Sequence, residues 1–358
     1  MSQELLLEVN RKLNLECKEE SDINKNIIFV YCPRKVGSTT LVSSIRLSAA
    51  KKYTLCHVHG NETILELTGI KNISVMDVIK FNKDQGKEVY VIDIYREPIE
   101  RKMSEFFELL SILHFNNSEE KISEYDIDKL VRRFNLIFEH ISNSDYYFDV
   151  YGVNHVDSFD FDNKFLLNEL GGIKYIKLRL KDSNLWGKQL SKIFEVKIHI
   201  VKDNETSSKI IGELYRKFKE SYKLPKNLYE FIAKSKELRF YNTEDEIKEY
   251  LNKWKINLTH DVEGMTPSQY EMYEIVSKEN SVYKLKDKDH YIDNGCVCIQ
   301  CSRKRAILLE KVKRGEKIND RIEHGANTVI RVVRPTVHYG TARRQTRVRM
   351  TAMNRMGF

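Results

Sequence analysis

The chain has 358 residues, 41% of them hydrophobic and 31% charged, with 15 Gly and only 5 Pro. That is enough for one large α/β domain with an appendage, or for two domains, and it excludes a disulfide-stapled miniprotein, a collagen-like repeat and a wholly disordered chain. The net charge of +8 sits at one end: residues 302–358 carry fifteen Lys/Arg against four Asp/Glu, a net +11, which leaves −3 for residues 1–301. Basicity belongs to the tail, and nucleic-acid binding is expected only through it.

Residues 1–25 read as a short amphipathic helix (Leu5, Leu6, Val9, Leu13) and a charged connector, without the basic, apolar, small-residue order of an export signal. No uncharged apolar run approaches the ~18–20 residues needed to cross a bilayer. A soluble, cytoplasmic protein with no membrane span and reduced cysteines is expected.

IIFVYC (27–32) is a continuous β-branched and aromatic run stopped by Pro33, as in a strand buried on both faces of a parallel sheet, and residues 39–50 then read as a helix. YTLCHVH (53–59) and KEVYVIDIY (87–95) read as further strands, the second leading into a helical pattern from Pro98 to Phe115. A helix is expected over 125–143, an irregular aromatic and acidic segment over 147–170, strands at 174–180 and 196–201 with a helix near 184–194 between them. From Ser207 to Trp254 the pattern is helical, with Ile211, Leu214, Phe218, Phe231, Tyr250 and Leu251 inward. Alternating strands and helices predict an α/β, parallel-sheet, three-layer domain over 26–285 with a helical C-terminal part, followed by a basic, irregular tail over 286–358.

CPRKVGSTTL (32–41) stands between a strand and a helix. Helix-start N–H groups lack intrahelical partners and the helix dipole favours an anion there. Gly37 lets the backbone approach a phosphate, Lys35 supplies a charge, and Ser38, Thr39 and Thr40 are able to cap the helix or bind phosphate oxygens. Lys35 precedes the only glycine, so this is not the GxxxxGK[ST] loop of nucleoside-triphosphatases. A capped turn with an incidental lysine is the bland alternative.

YREPIERKMSEFF (95–107) follows the strand VYVIDI, with Arg96 at its carboxyl end and Ser104 about two turns into the next helix. Ligands of open α/β sheets bind outside the carboxyl ends of the strands, so both segments should open on the same side. An arginine forks two hydrogen bonds to a phosphate, and a serine hydroxyl adds a third. In CHVHG (56–60) the alternate His57 and His59 fall on one face of the sheet. Either suits proton abstraction near neutral pH, against the alternatives of a core histidine or a metal ligand. Asp149, Asp157, Asp160 and Asp162 are other possible bases, and Asp93 is a partial match to a metal-holding strand end.

The order strand, KVGST, helix, HxH, strand, RxPxxRxxSxFF resembles the sulfotransferases that use 3′-phosphoadenosine-5′-phosphosulfate, particularly the polysaccharide type. LRLKDSNLW (178–186) and FYNTEDEIKEYLNKW (240–254) resemble segments of the capsular polysaccharide synthesis proteins, a sulfotransferase-like group. The resemblance spans roughly residues 26–256 and implies a P-loop (sulfotransferase-like) fold. It implies 5′-phosphosulfate binding by Lys35, Val36, Gly37, Ser38, Thr39 and Thr40, and 3′-phosphate binding by Arg96 and Ser104. His59 is then the base, as in the heparan 2-O-sulfotransferase relatives, with His57 second; a carbohydrate is the acceptor and no metal is expected. The family commonly has Pro directly before this Lys, whereas Arg34 intervenes here. A nucleotide-dependent transferase or kinase on the same scaffold, and a non-catalytic polysaccharide- or nucleic-acid-binding protein, are the competing readings.

In the tail, Cys296, Cys298 and Cys301 with His290 suggest either a zinc site or clustered free thiols, without the paired CxxC arrangement. The run 331–350 is basic and nearly free of aromatic residues.

Overall fold

The structure is a computed structural model that describes residues 2–16, 26–153, 158–201, 211–279, 299–316, 332–333 and 347–348. The chain divides into two compact units, one of residues 1–96, 144–204 and 286–327, the other of 97–143, 205–285 and 328–358. The units interleave along the sequence, with breaks after residues 96, 143, 204, 285 and 327. Among the described residues no helix is long and apolar enough to cross a membrane.

The first unit is an α/β layer structure on a five-stranded sheet. Its strands are β1 (Asn26–Tyr31), β2 (Tyr53–Val58), β3 (Val89–Tyr95), β4 (Phe165–Leu170) and β5 (Ile173–Arg179). They lie in the order β2-β1-β3-β5-β4, parallel except for β4, which runs antiparallel to β5. β1, β2 and β3 are buried along nearly their whole length, which explains why their sequences are predominantly apolar, with Thr54, His57 and Asp93 as buried polar exceptions.

One sheet face (Ile28, Val30, Tyr90, Ile92, Ile94, Ile176, Leu178) packs on the helices Ser38–Ala49 and Trp186–Phe194 through Leu41, Val42, Ile45, Trp186, Leu190 and Phe194. Burial of each large side chain contributes roughly 1.5–3 kcal/mol before entropy is set against it. The N-terminal helix Gln3–Lys12 joins this unit rather than standing apart: Asn10 and Asn82, both buried, exchange reciprocal amide hydrogen bonds of 3.0 and 2.9 Å. Asn82 lies on the helix Val75–Asp84, which with Asn61–Thr68 carries the chain from β2 to β3. Neither of these two helices is anticipated from sequence.

Two further expectations are corrected. Residues 165–170 form a strand, closed onto β5 by Gly171 and Gly172, both at positive φ as a tight two-residue hairpin requires. Residues 196–201 are not a strand: the Val201 N–H donates to Ser44 Oγ at 2.9 Å and the His199 N–H to Ser48 Oγ at 3.0 Å, so helix serines take bonds that a sheet neighbour would otherwise take.

The tail is not wholly irregular either. Ile299–Lys313 is a helix whose buried Leu308 packs with Leu47 and Val201. Cys301 is the third residue of this helix, whereas His290, Cys296, Cys298 and most of 331–350 lie outside the described residues.

The second unit is helical. Pro98–Glu108 runs into a π-helical turn, Leu110–His114, and packs on Ile127–Ile137, Gly212–Ser221 and Lys226–Ala233 through Phe106, Phe107, Phe134 and Phe218. Ile211, Leu214 and Phe218 point inward as expected, but Phe231 is 37% exposed.

Candidate functional site

β1 lies between β2 and β3, so the chain leaves it toward one neighbour and returns on its other side. That is a topological switch point, and the carboxyl ends of β1 and β3 flank the crevice where open α/β sheets take ligands. The loop 32–37 leaves β1 there and Arg96 leaves β3 there.

The two segments touch. Arg96 Nη1 donates to the main-chain carbonyl of Lys35 at 2.8 Å. Lys35 takes a left-handed φ of +63°, a conformation that costs a non-glycine residue roughly 1–2 kcal/mol and is held by the bond from Arg96. Gly37 follows at φ +92° and caps the helix Ser38–Ala49 with no side-chain bond. Its backbone conformation favours glycine, and a Cβ there would stand 2.6 Å from Leu180 Cδ1, so a larger residue would also have to displace that side chain. Val36 and Ser38 are buried, while Lys35, Thr39 and Thr40 are partly exposed.

Leu180 and Trp186 belong to LRLKDSNLW, the segment that backs the loop. The Trp186 indole N–H donates to the Arg179 carbonyl at 3.1 Å, and the fully buried Arg179 binds Asp182 at 2.5 Å with the Phe159 ring 4.9 Å from its guanidinium.

His57 and His59 lie on one face, as their spacing requires, with ring centroids 4.6 Å apart and edges to face. Their environments differ. His57 is fully buried within β2 beside Val30 of β1, the place of a core residue. His59, just beyond β2, is partly exposed, and its Nδ1 lies 2.8 Å from the Cys32 carbonyl. A carbonyl only accepts, so Nδ1 carries the proton and Nε2 of the neutral ring carries the lone pair. This is the tautomer that a base acting through Nε2 needs.

Asp93 is committed elsewhere. Its Cα partner across β3 and β5 is Lys177, whose ammonium lies 2.7 Å from Asp93 Oδ2 and 2.8 Å from Asp145 Oδ2, all three groups buried. Asp93 also accepts from the N–H groups of Ile94 and Tyr147. Burial pushes its carboxyl up to about 6 against the pull of Lys177. Sequence reading missed this triad, because only the strand register and the fold of 145–149 bring it together.

Of the other carboxylates, Asp149 accepts from the Asp145 N–H and Asp160 from Asn163 and Asp162. These bonds hold the Asp160 carboxyl below its ordinary value. Both serve local turns; Asp162 is exposed and Asp157 lies outside the described residues.

Ser104 belongs to the second unit, where it is buried at 4% exposure on Pro98–Glu108. Its neighbour Lys102 is also buried, donating to the carbonyls of Phe138 and Ile141 and, at 2.7 Å, to Asn143 Oδ1. A lysine inside the RKMSEFF run thus closes the carboxyl end of the helix Ile127–Ile137. Among the described residues no group of three His, Cys, Asp or Glu side chains is placed to hold a metal.

The first unit therefore gathers Lys35, Gly37–Thr40, His59 and Arg96 at the carboxyl ends of three parallel strands, β1, β2 and β3. No family model, no curated protein and no solved structure matches the chain.

Proposed function

We propose that this protein is a sulfotransferase, binding 3′-phosphoadenosine-5′-phosphosulfate at the switch point of the first unit and passing the sulfuryl group to a carbohydrate hydroxyl. The observation that carries the reading is the bond between Arg96 and the Lys35 carbonyl: it joins two segments, 61 residues apart in sequence, that are each expected to bind an anion. A nucleotide phosphorylated at both ends suits such a pair. The carbohydrate acceptor, and a role in making a surface or capsular polysaccharide, rest on the resemblance of the motifs alone.

In the proposed reaction Lys35 and the N–H groups that open the helix Ser38–Ala49 hold the 5′-phosphosulfate, and Arg96 the 3′-phosphate. The acceptor oxygen forms its bond to sulfur as the bond from sulfur to the bridging oxygen breaks. The hydroxyl proton passes to Nε2 of His59. Negative charge grows on the bridging oxygen, where Lys35 stabilises it. The commitment of Asp93 to Lys177 weighs against the kinase alternative, since a carboxylate so bonded is poorly placed to hold Mg²⁺.

The test is calorimetric titration with adenosine 3′,5′-bisphosphate beside ATP, followed by a sulfate-transfer assay on a glycan panel. Tight binding of the bisphosphate, with transfer abolished in both Lys35→Ala and His59→Ala, supports the reading. Preference for ATP, or full transfer in both variants, overturns it.

A further inference from the structure

Residues 145–151 are tied to the carboxyl edge of the sheet by groups from several strands. Asp145 shares the Lys177 ammonium with Asp93, and the Tyr147 N–H donates to Asp93 Oδ2 at 3.0 Å. The Tyr151 hydroxyl donates to the Tyr31 carbonyl at the end of β1. The Tyr146 hydroxyl donates to the main-chain carbonyl of His59. The Tyr31 ring packs against both phenols, with centroids 4.9 Å from Tyr146 and 5.7 Å from Tyr151.

These bonds bear on one residue from two sides. The His59 ring is held at Nδ1 by the Cys32 carbonyl, and its backbone is held at the carbonyl by Tyr146. Its own N–H donates to Thr63 Oγ1 at 3.3 Å. Burial raises the Tyr146 phenol well above its ordinary value, with Tyr31 adding to it, so the hydroxyl stays a donor across the working pH range.

We propose that Tyr146 is a positioning residue for His59: by fixing the His59 carbonyl it keeps the imidazole on the Cys32 carbonyl, in the tautomer whose Nε2 carries the lone pair. This rests on the reading of His59 as the base. The physical need is plain, since a neutral imidazole free to turn populates both tautomers, and only one of them accepts a proton at Nε2. Tyr146 is in turn anchored through its neighbour Asp145, so the buried triad sets the frame from which the hydroxyl reaches.

The experiment uses the full chain labelled with ¹⁵N-histidine and compares wild type with Tyr146→Phe, which removes the hydroxyl and leaves the ring. In wild type the His59 spectrum should show a protonated Nδ1 and an unprotonated Nε2. In Tyr146→Phe the two nitrogens should move toward averaged shifts, with kcat about tenfold lower and affinity for adenosine 3′,5′-bisphosphate changed by less than about twofold. An unchanged tautomer signature, or a loss of nucleotide affinity that matches the loss in kcat, overturns the proposal. The spectrum is read without substrate, so a wild type that transfers no sulfate sinks the sulfotransferase reading and leaves the tautomer result standing on its own. Should Tyr146→Phe fail to fold, 3-fluorotyrosine at position 146 keeps a hydroxyl that donates more strongly. The ¹³C shift of the His59 carbonyl should then move, and no movement overturns the proposal.

Discussion

Arg96 donates from Nη1 to the carbonyl of Lys35, and thereby holds in place a residue whose φ of +63° is unfavourable for any side chain but glycine. A guanidinium has further donors in its planar fork, so the group that shapes the loop also has donors to offer a phosphate. Arg96→Lys keeps the charge but is unable to span both partners. Affinity for adenosine 3′,5′-bisphosphate, measured by calorimetry, is expected to fall about 10–100-fold, nearly as far as in Arg96→Ala, the ratio that ~1.5–3 kcal/mol for a charged hydrogen bond implies. Full binding by the lysine variant would show that the bond to Lys35 does nothing for the loop.

Gly37 faces two separate penalties, one for its left-handed backbone and one for the Leu180 side chain 2.6 Å from where a Cβ would stand. Gly37→Ala is expected to lower stability by about 1–3 kcal/mol in urea unfolding. Combining it with Leu180→Ala removes the steric part and leaves the backbone part, so the pair should cost less than the sum of the single changes. Strict additivity would mean that Leu180 yields without cost.

The helix Ile299–Lys313 gives a third expectation. Leu308 is 6% exposed and meets Leu47 and Val201, so Leu308→Ala should cost about 2–3 kcal/mol, whereas Ile307→Ala, at a position 61% exposed, should be nearly neutral. Equal effects of the two substitutions in thermal unfolding would separate this helix from the core of the first unit.

What the sequence reveals here follows from burial. β1, β2 and β3 are mostly apolar because neighbours cover them, β5 is legible from its Ile, Tyr and Leu although Lys177 and Arg179 lie buried in it, and the loop after β1 is recognisable because its glycine, lysine and hydroxyls are contiguous. β4 is hidden because it is an edge strand whose Leu167 and Leu170 stay 44% and 42% exposed, and its sequence does not alternate as a half-buried strand should. VKIHIV alternates like a strand, yet among the described residues no strand pairs with it, and the N–H groups of Val201 and His199 turn to Ser44 and Ser48. The candidate site divides in the same way. Lys35, His59 and Arg96 stand at the ends of legible strands, whereas the roles of Tyr146 and Lys177 depend on contacts between residues 84 to 87 positions apart.

The triad supplies the last prediction, because one ammonium serves two buried carboxylates. Asp93→Asn leaves Lys177 paired with Asp145, whereas Lys177→Met takes the shared ammonium from both carboxylates. Breaking a buried pair this way costs about 3–5 kcal/mol, so Lys177→Met should be severely destabilised at pH 7 and Asp93→Asn only mildly affected. The pH dependence follows from Asp93, which burial raises to about 6 against 3.8 for the ordinary group. Between those values the folded chain holds a proton that the unfolded chain has released, so this group makes stability rise as pH falls from about 6 toward 4. Asp93→Asn has no such proton to take up, and its stability relative to wild type should decline over that window as wild type gains. Urea unfolding at several pH values measures the difference, and a constant difference from pH 7 to 4 would show that Asp93 stays ionised throughout, with Lys177 outweighing burial.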